Sequence, residues 1–106
     1  MKQIINLINS TKKGWYLGKG LRAFKLNEFR SALESYKLAL QYSYDNFEPL
    51  IYESIAFTYH KLNKFDQALN NAKMSIEQYA SIKSHPQRYS LRIQRLNELI
   101  RRLETD

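Results

Sequence analysis

A five-residue segment occurs twice in the chain, as KLNEF at residues 25–29 and as KLNKF at residues 61–65. The two copies are 36 residues apart, and the agreement continues on both sides of them. Four further pairs align at the same offset: Gly20 with Ala56, Ala32 with Ala68, Leu33 with Leu69, and Leu40 with Ile76. Small residues align with small ones and large apolar residues mostly with large ones, although Phe24 aligns with His60 and Tyr36 with Ala72. The chain therefore contains an internal repeat, and this repeat constrains the fold more than any other feature.

Each copy predicts two helices, because its apolar residues recur at spacings of three and four. In the second copy the two faces hold Tyr52, Ile55, Ala56, Tyr59 and Leu62, then Phe65, Ala68, Leu69, Ala72 and Ile76. In the first copy they hold Tyr16, Gly20, Ala23 and Leu26, then Phe29, Ala32, Leu33, Tyr36 and Leu40. The repeated segment is then the turn between the two helices of each copy.

The turns and the packing of the predicted helices each have a physical basis in the sequence. Asn27 and Asn63 stand where the first helix of each copy ends, and asparagine tolerates the left-handed conformation that often follows a helix. The paired helices must approach closely at four small residues: Gly20, Ala32, Ala56 and Ala68.

The composition favours helices and a single domain. Leu, Ala, Lys, Glu, Gln and Arg are frequent, valine is absent, and 106 residues contain only three Gly and two Pro. The apolar fraction of 43% is sufficient for a core. We predict an all-α fold of about five helices that occupies residues 1–106 as one domain.

The repeat resembles the tetratricopeptide repeat (TPR), a family of helix–turn–helix units of about 34 residues. The first copy supplies Tyr16, Gly20, Ala23, Phe29, Ala32, Tyr36 and Ala39, and the second supplies Tyr52, Ile55, Ala56, Tyr59, Phe65 and Ala68. Lys19, Ala72 and Ser75 depart from the family pattern, and the offset of 36 places two extra residues around 41–48.

The resemblance implies a TPR-like α-solenoid, which is a right-handed superhelical stack. Repeat 1 would cover about residues 13–46, repeat 2 about 49–82, and a capping helix about 86–104. The last helix carries an apolar stripe: Tyr89, Ile93, Leu96, Ile100 and Leu103. With that stripe it would cover the end of the stack, or it is the first helix of a third, truncated repeat.

The N-terminal segment is apolar at Ile4, Ile5, Leu7 and Ile8. Three arrangements are compatible with this cluster: it extends the first helix, it folds back on the stack, or it forms an exposed patch that dimerises. Glycines at 14, 18 and 20 lower the helix propensity of the segment that follows.

The TPR resemblance also implies a concave groove that holds an extended peptide or a helix of a partner protein. By position, the groove residues are Leu17, Leu21, Phe24, Lys25, Glu53, Ser54, Phe57, His60 and Lys61, with Arg88 and Arg92 from the last helix. Alternatively, Leu17, Leu21 and Phe24 pack beneath the N-terminal segment as core. Some members of the family grip a terminal carboxylate with Lys and Asn, but the matching positions here are Leu17, Leu21 and Ser54.

We expect no enzymatic activity, no cofactor and no metal site. The glycines at 14–20 follow no strand and lack the ending of a phosphate-binding loop, and the two histidines have no second ligand at helical spacing. The absence of cysteine excludes disulfides and thiolate metal sites and fits a reducing compartment. We therefore expect a cytoplasmic protein, with no membrane partner because no apolar run is long enough to span a bilayer.

The net charge of +7 is concentrated at the two ends of the chain. Residues 1–30 carry seven basic and one acidic side chain, whereas residues 31–80 carry four and six. The leading prediction is a non-catalytic scaffold or adaptor that binds a peptide or helix of a partner protein. The alternatives are nucleic-acid binding through the basic ends, and self-association, since two repeats are fewer than such stacks usually need.

Overall fold

The computed structural model describes residues 2–85 and 87–105, and these form five helices with no strand. The helices are α1 (Lys2–Lys25), α2 (Phe29–Gln41), α3 (Pro49–Lys61), α4 (Phe65–Ala80) and α5 (Ser90–Thr105). The prediction of an all-α fold with about five helices is confirmed. Each helix packs against the helices that precede and follow it in the chain, and the molecule measures 49 × 34 × 20 Å.

The α1–α2 and α3–α4 turns have the same backbone structure. Asn27 and Asn63 have φ of 61° and 60°, as the sequence predicts. The Glu28 N–H donates to the Ala23 carbonyl at 2.9 Å, and the Lys64 N–H donates to the Tyr59 carbonyl at the same distance. This bond joins the third residue after the helix, which is two beyond the C-cap residue, to a carbonyl in the last turn, as in the Schellman motif. The repeated KLN segment therefore ends α1 and α3 in the same way.

The small residues lie where the helices approach most closely. Ala32, Ala56 and Ala68 are completely buried, and a Cβ added to Gly20 would collide with the ring of Tyr36. One buried cluster joins α1, α2 and α3 around Tyr36 and Ile51. A second joins α3, α4 and α5 around Ala56, Ala72, Tyr79 and Leu96. Both bury side chains at the predicted spacings, but Phe65, predicted on the packed face of α4, is exposed.

The connection between α2 and α3 is held by α4 and α1. The Gln78 amide accepts a hydrogen bond from the Glu48 N–H and donates one to the Asn46 carbonyl, both at 2.8 Å. The Glu48 carboxylate pairs with Lys13 at 2.8 Å. Asn46 is a third residue with positive φ, 60°. These contacts fix the start of α3 relative to its neighbours.

The N-terminal segment extends the first helix, so α1 begins at Lys2 rather than near residue 13. It does not fold back: Ile4, Ile5, Leu7 and Ile8 are exposed. Leu26, which the helical period places on the packed face, is also exposed. The prediction for Leu26 was wrong because α1 ends at Lys25, and beyond that point the period no longer applies.

The C-terminal helix begins later than its predicted start at about residue 86. Pro86 lies outside the described residues, and α5 begins at Ser90. Leu96 and Leu99 of α5 are buried against α3 and α4, and Tyr89, Ile93, Ile100 and Leu103 pack around them.

Among the described helices, none is both long enough and apolar enough to cross a membrane.

Candidate functional site

A cleft of about 340 Å³ lies between α1 and α3. It is lined by Leu21, Phe24, Tyr36, Glu53, Ser54, Phe57 and Lys61. Six of these seven are in the set of groove residues predicted by position: Leu21, Phe24, Glu53, Ser54, Phe57 and Lys61. The structure therefore brings together residues that are up to 40 positions apart in the sequence.

The walls of this cleft are mostly apolar, and its floor is a buried tyrosine ring. Leu21 and Phe24 are three residues apart and face it from α1, while Phe57 faces it from α3. Tyr36 of α2 forms the floor and is 1% exposed, and burial raises the pKa of its phenol. A partly exposed Leu and two half-buried Phe above a fixed aromatic floor can hold one large apolar side chain.

A second cleft of about 250 Å³ continues from the first toward α5. It is lined by Phe57, His60, Lys61, Arg95, Glu98, Leu99 and Arg102. Phe57 and Lys61 line both clefts, so the two are adjacent and form one depression. We call this combined depression the groove.

The two ends of the groove differ in charge. In the second cleft Glu98 pairs with Arg102 at 3.0 Å. Among the described side chains, no carboxylate lies at ion-pair distance from Lys61 or Arg95. These two cations therefore give the α5 end of the groove a net positive charge, whereas the α1 end is apolar.

The single carboxylate of the first cleft is already engaged. Glu53 accepts a hydrogen bond from the Tyr79 hydroxyl at 2.6 Å, and the Arg92 guanidinium donates to both of its oxygens at 3.0 and 3.2 Å. Burial raises the pKa of the Tyr79 phenol, and the hydrogen bond and negative charge of Glu53 raise it further. Glu53, Tyr79 and Arg92 thus link α3, α4 and α5, and Glu53 contributes little negative charge to the groove.

The remaining predicted groove residues have other surroundings. Leu17 packs against the first core cluster, and Lys25 is exposed beside the residues that line the groove. Arg88 lies over the ring of Tyr89, with its guanidinium 5.7 Å from the ring centroid. Arg92 is committed to Glu53. The alternative in which the N-terminal segment covers Leu17, Leu21 and Phe24 does not occur, since that segment is the first half of α1.

Sequence reasoning missed the groove residues supplied by α2 and by the middle of α5. Tyr36 was assigned to the packed face of α2, which is correct, but its ring also reaches the floor of the cleft. Arg95, Leu99 and Arg102 lie one to three turns beyond Arg92 on α5, whereas Arg88 precedes the helix. Leu96 and Leu99 mark the buried side of α5. From that side, Arg95 and Arg102 could have been identified as residues at the edge of the groove.

No family model matches the chain, and no match was found among curated proteins or among solved structures. Within the described residues, no group of three His, Asp or Glu side chains is placed to hold a metal ion.

Proposed function

We propose that this chain is a non-catalytic, TPR-like interaction module that binds a short segment of a partner protein in the groove. The proposal includes the right-handed stacking of the two helix pairs, with α5 as a cap, and a cytoplasmic location. Its main support is the groove itself, which joins an apolar cleft over Tyr36 to a cationic cleft at Lys61 and Arg95. The two matching Schellman turns and the recurrence of buried alanines support the repeat assignment.

The chemistry of the groove defines the kind of segment that it would bind. A large apolar side chain would fill the space between Leu21, Phe24 and Phe57, where desolvation of aromatic and aliphatic surface provides most of the affinity. An acidic residue a few positions away would meet Lys61 and Arg95. Charge at this end increases the rate of encounter and fixes the direction of the bound segment.

Selection of random displayed peptides against the immobilised protein tests this proposal. We expect selected peptides to share one large apolar residue and at least one Asp or Glu near it. Phe57→Ala, which removes the side chain common to both clefts, should weaken binding of these peptides by at least about ten-fold. Lys61→Glu should weaken the same peptides without affecting the core, because Lys61 is exposed.

Leu91→Ala is the matched control, since Leu91 is an exposed apolar residue on α5 that lies outside the groove residues. It should leave peptide binding unchanged, and circular dichroism of all three variants checks that they remain folded. Peptides with no common pattern, or with affinities that neither Phe57→Ala nor Lys61→Glu changes, would contradict the proposal.

Two further measurements distinguish the alternatives from this proposal. Oligonucleotide binding that falls steeply with salt would favour the nucleic-acid alternative. The structure offers no particular support for it, because Arg92 and Arg102 are in ion pairs and Arg101 faces away from Arg95. A molecular mass in solution that rises with protein concentration would favour self-association.

A further inference from the structure

The side of α1 that faces away from α2 is an apolar stripe flanked by cations. Ile4, Ile8 and Trp15 follow one another at spacings of four and seven, which places them on one line along the helix. Leu7 lies beside this line, and Lys19 and Arg22 follow Trp15 by four and seven residues. We call these six residues the outer face of α1. We propose that the outer face of α1 binds to the surface of an anionic lipid membrane.

Most of the apolar surface of the outer face is exposed, although the Trp15 ring packs edge-on against Tyr16 with 5.0 Å between the ring centroids. Trp15 is 62% exposed and Leu7 is 69% exposed, and Ile4 and Ile8 are exposed as well. Isolated exposed apolar residues are ordinary, but four on one side of one helix form an apolar strip, which Thr11 interrupts between Ile8 and Trp15. Removing this apolar surface from water would lower the free energy, and the core of this protein does not bury it.

The charge of α1 identifies what would cover the strip. The helix contains six basic and no acidic residues in its 24 positions. Lys13 is paired with Glu48, but no described carboxylate lies at ion-pair distance from Lys19 or Arg22. The Lys19 ammonium lies 5.2 Å from the centroid of the Trp15 ring, so cation and indole are side by side. An aromatic ring beside basic side chains on an apolar helix face is suited to the boundary between lipid headgroups and acyl chains.

The outer face also has an open gap between side chains beside Gly14 and Gly18, which we call the depression. Nothing lies within 4 Å of where a Cβ would stand on Gly14 or Gly18, and the space beside them is about 420 Å³. The depression is bordered by Trp15, Lys19 and Arg22, and every residue that lines it belongs to α1. An anionic phosphate at this point would contact both cations while the neighbouring apolar residues enter the acyl region.

A second copy of the chain is a poorer occupant than a membrane. Two α1 helices packed on their outer faces would bring together two cationic surfaces with no acidic residue on either. An anionic membrane has the opposite charge, and because it is fluid it requires no complementary shape. The sequence predicts no membrane partner because no segment is long enough to span a bilayer. That argument does not apply here, because the helix would lie flat on the membrane surface without crossing it.

Trp15 is the only tryptophan of the chain and lies in the middle of the outer face, so its fluorescence reports binding directly. The whole chain is mixed with vesicles of phosphatidylcholine and phosphatidylglycerol, or of phosphatidylcholine alone. We expect the emission to shift to shorter wavelength, and the protein to float with the vesicles, only when phosphatidylglycerol is present. Raising salt from about 0.1 M to about 1 M shortens the screening length from about 10 Å to about 3 Å and should largely release the protein.

Two pairs of variants separate the apolar and cationic contributions. Ile4→Ser with Ile8→Ser should abolish flotation, whereas Leu91→Ser, at an exposed apolar residue of α5, should not change it. Lys19→Gln with Arg22→Gln should weaken vesicle binding by about 30-fold, since each basic side chain at an anionic surface contributes about five-fold. Lys64→Gln with Lys73→Gln removes the same net charge from exposed positions near and on α4 and should weaken binding much less.

The other outcomes overturn the proposal. An unchanged Trp15 emission and no flotation with anionic vesicles would exclude a lipid surface and leave an acidic protein as the occupant. An emission shift that grows with protein concentration without vesicles would assign the outer face to a second copy. If the Lys19/Arg22 and Lys64/Lys73 variants bind anionic vesicles equally, vesicle binding would depend on the net charge of the protein and not on the outer face of α1. Phe57→Ala should not alter flotation, so this test is independent of the proposed peptide groove.

Discussion

The ring of Tyr36 packs directly on the backbone of Gly20, and a Cβ at Gly20 would stand 2.6 Å from the ring carbon Cε1. At the positions 36 residues later, a slightly larger residue, Ala56, replaces the glycine, and a much smaller one, Ala72, replaces the tyrosine. Ala56 and Ala72 are both completely buried in the second core cluster. The two helix pairs therefore solve the same packing problem differently: one combines a large ring with no side chain, and the other combines two methyl groups.

Gly20→Ala should destabilise the protein although alanine is the better helix former. The gain in helix propensity is about 1 kcal/mol, but overpacking a core costs about 1–3 kcal/mol. Tyr36 is 1% exposed and cannot move aside without displacing its own neighbours. Gly18→Ala is the matched control, because open space surrounds Gly18, and it should stabilise the protein by up to about 1 kcal/mol. Urea unfolding of both variants measures the difference, and the same sign of change in both would contradict this account of the contact.

Asn63→Ala should lower the free energy of unfolding, whereas Asn63→Gly should not. The residue has φ of 60°, where an L side chain such as alanine costs about 1–2 kcal/mol and glycine has no such cost. Asn27→Ala at the equivalent turn should behave in the same way. Asn70→Ala, on the exposed side of α4, is the control and should change stability by only a few tenths of a kcal/mol. Denaturant unfolding gives all four values; equal losses for Asn63→Ala and Asn63→Gly would indicate that side-chain contacts, rather than φ, matter at this turn.

The sequence was most informative where structure is determined locally. The helical period predicted about five helices, and the turn asparagines predicted a left-handed residue at each turn, because these depend on residues within about one turn of each other. The central groove residues were carried over by position from the TPR resemblance, and Leu21, Phe24 and Phe57 lie together at one cleft. Their role in binding stays a prediction. The length of α1 was left open, since an exposed apolar segment and a folded-back one have the same periodicity.

Contacts between distant helices could not be predicted in this way. Glu53, Tyr79 and Arg92 are on three helices, and no pattern in the sequence marks them as partners. Gln78 likewise reads as an ordinary polar residue near the end of α4, although its amide makes two hydrogen bonds to the α2–α3 connection. Such pairings depend on the angle between helices, which side-chain packing determines after the helices have formed.

Gln78→Ala should loosen the connection at residues 42–48 and lower stability by about 1–2 kcal/mol, since each lost hydrogen bond costs about 1 kcal/mol. The Glu48 N–H loses its acceptor in this variant, so its hydrogen exchange should accelerate more than that of amides within α4. Gln67→Ala, at an exposed position of the same helix, should leave both values close to those of the unmodified protein. Unchanged exchange at Glu48 would show that Lys13 alone holds the connection through its ion pair.

Tyr79 should make the protein lose stability at alkaline pH. Burial raises the pKa of its phenol in the folded state above the ordinary value of 10.0, and Glu53 raises it further. As the pH rises, the unfolded state therefore loses the phenol proton before the folded state does. The contribution of Tyr79 to the free energy of unfolding is complete below about pH 10 and decreases as the pH rises beyond it. Burial gives Tyr36 the same direction of shift. At about pH 11 the loss from one such tyrosine is about 1.4 kcal/mol.

Tyr79→Phe isolates this contribution. At pH 7 the variant should be less stable by about 1–2 kcal/mol, because it lacks the hydrogen bond to Glu53. Between about pH 10 and pH 11 the difference from the unmodified protein should narrow, since phenylalanine has no proton to lose. Tyr44→Phe is the control, because Tyr44 is highly exposed, and it should match the unmodified protein at both pH values. Urea unfolding at each pH gives the comparison. A difference between Tyr79→Phe and the unmodified protein that stays constant with pH would show that the Tyr79 phenol ionises as easily in the folded state as in the unfolded one.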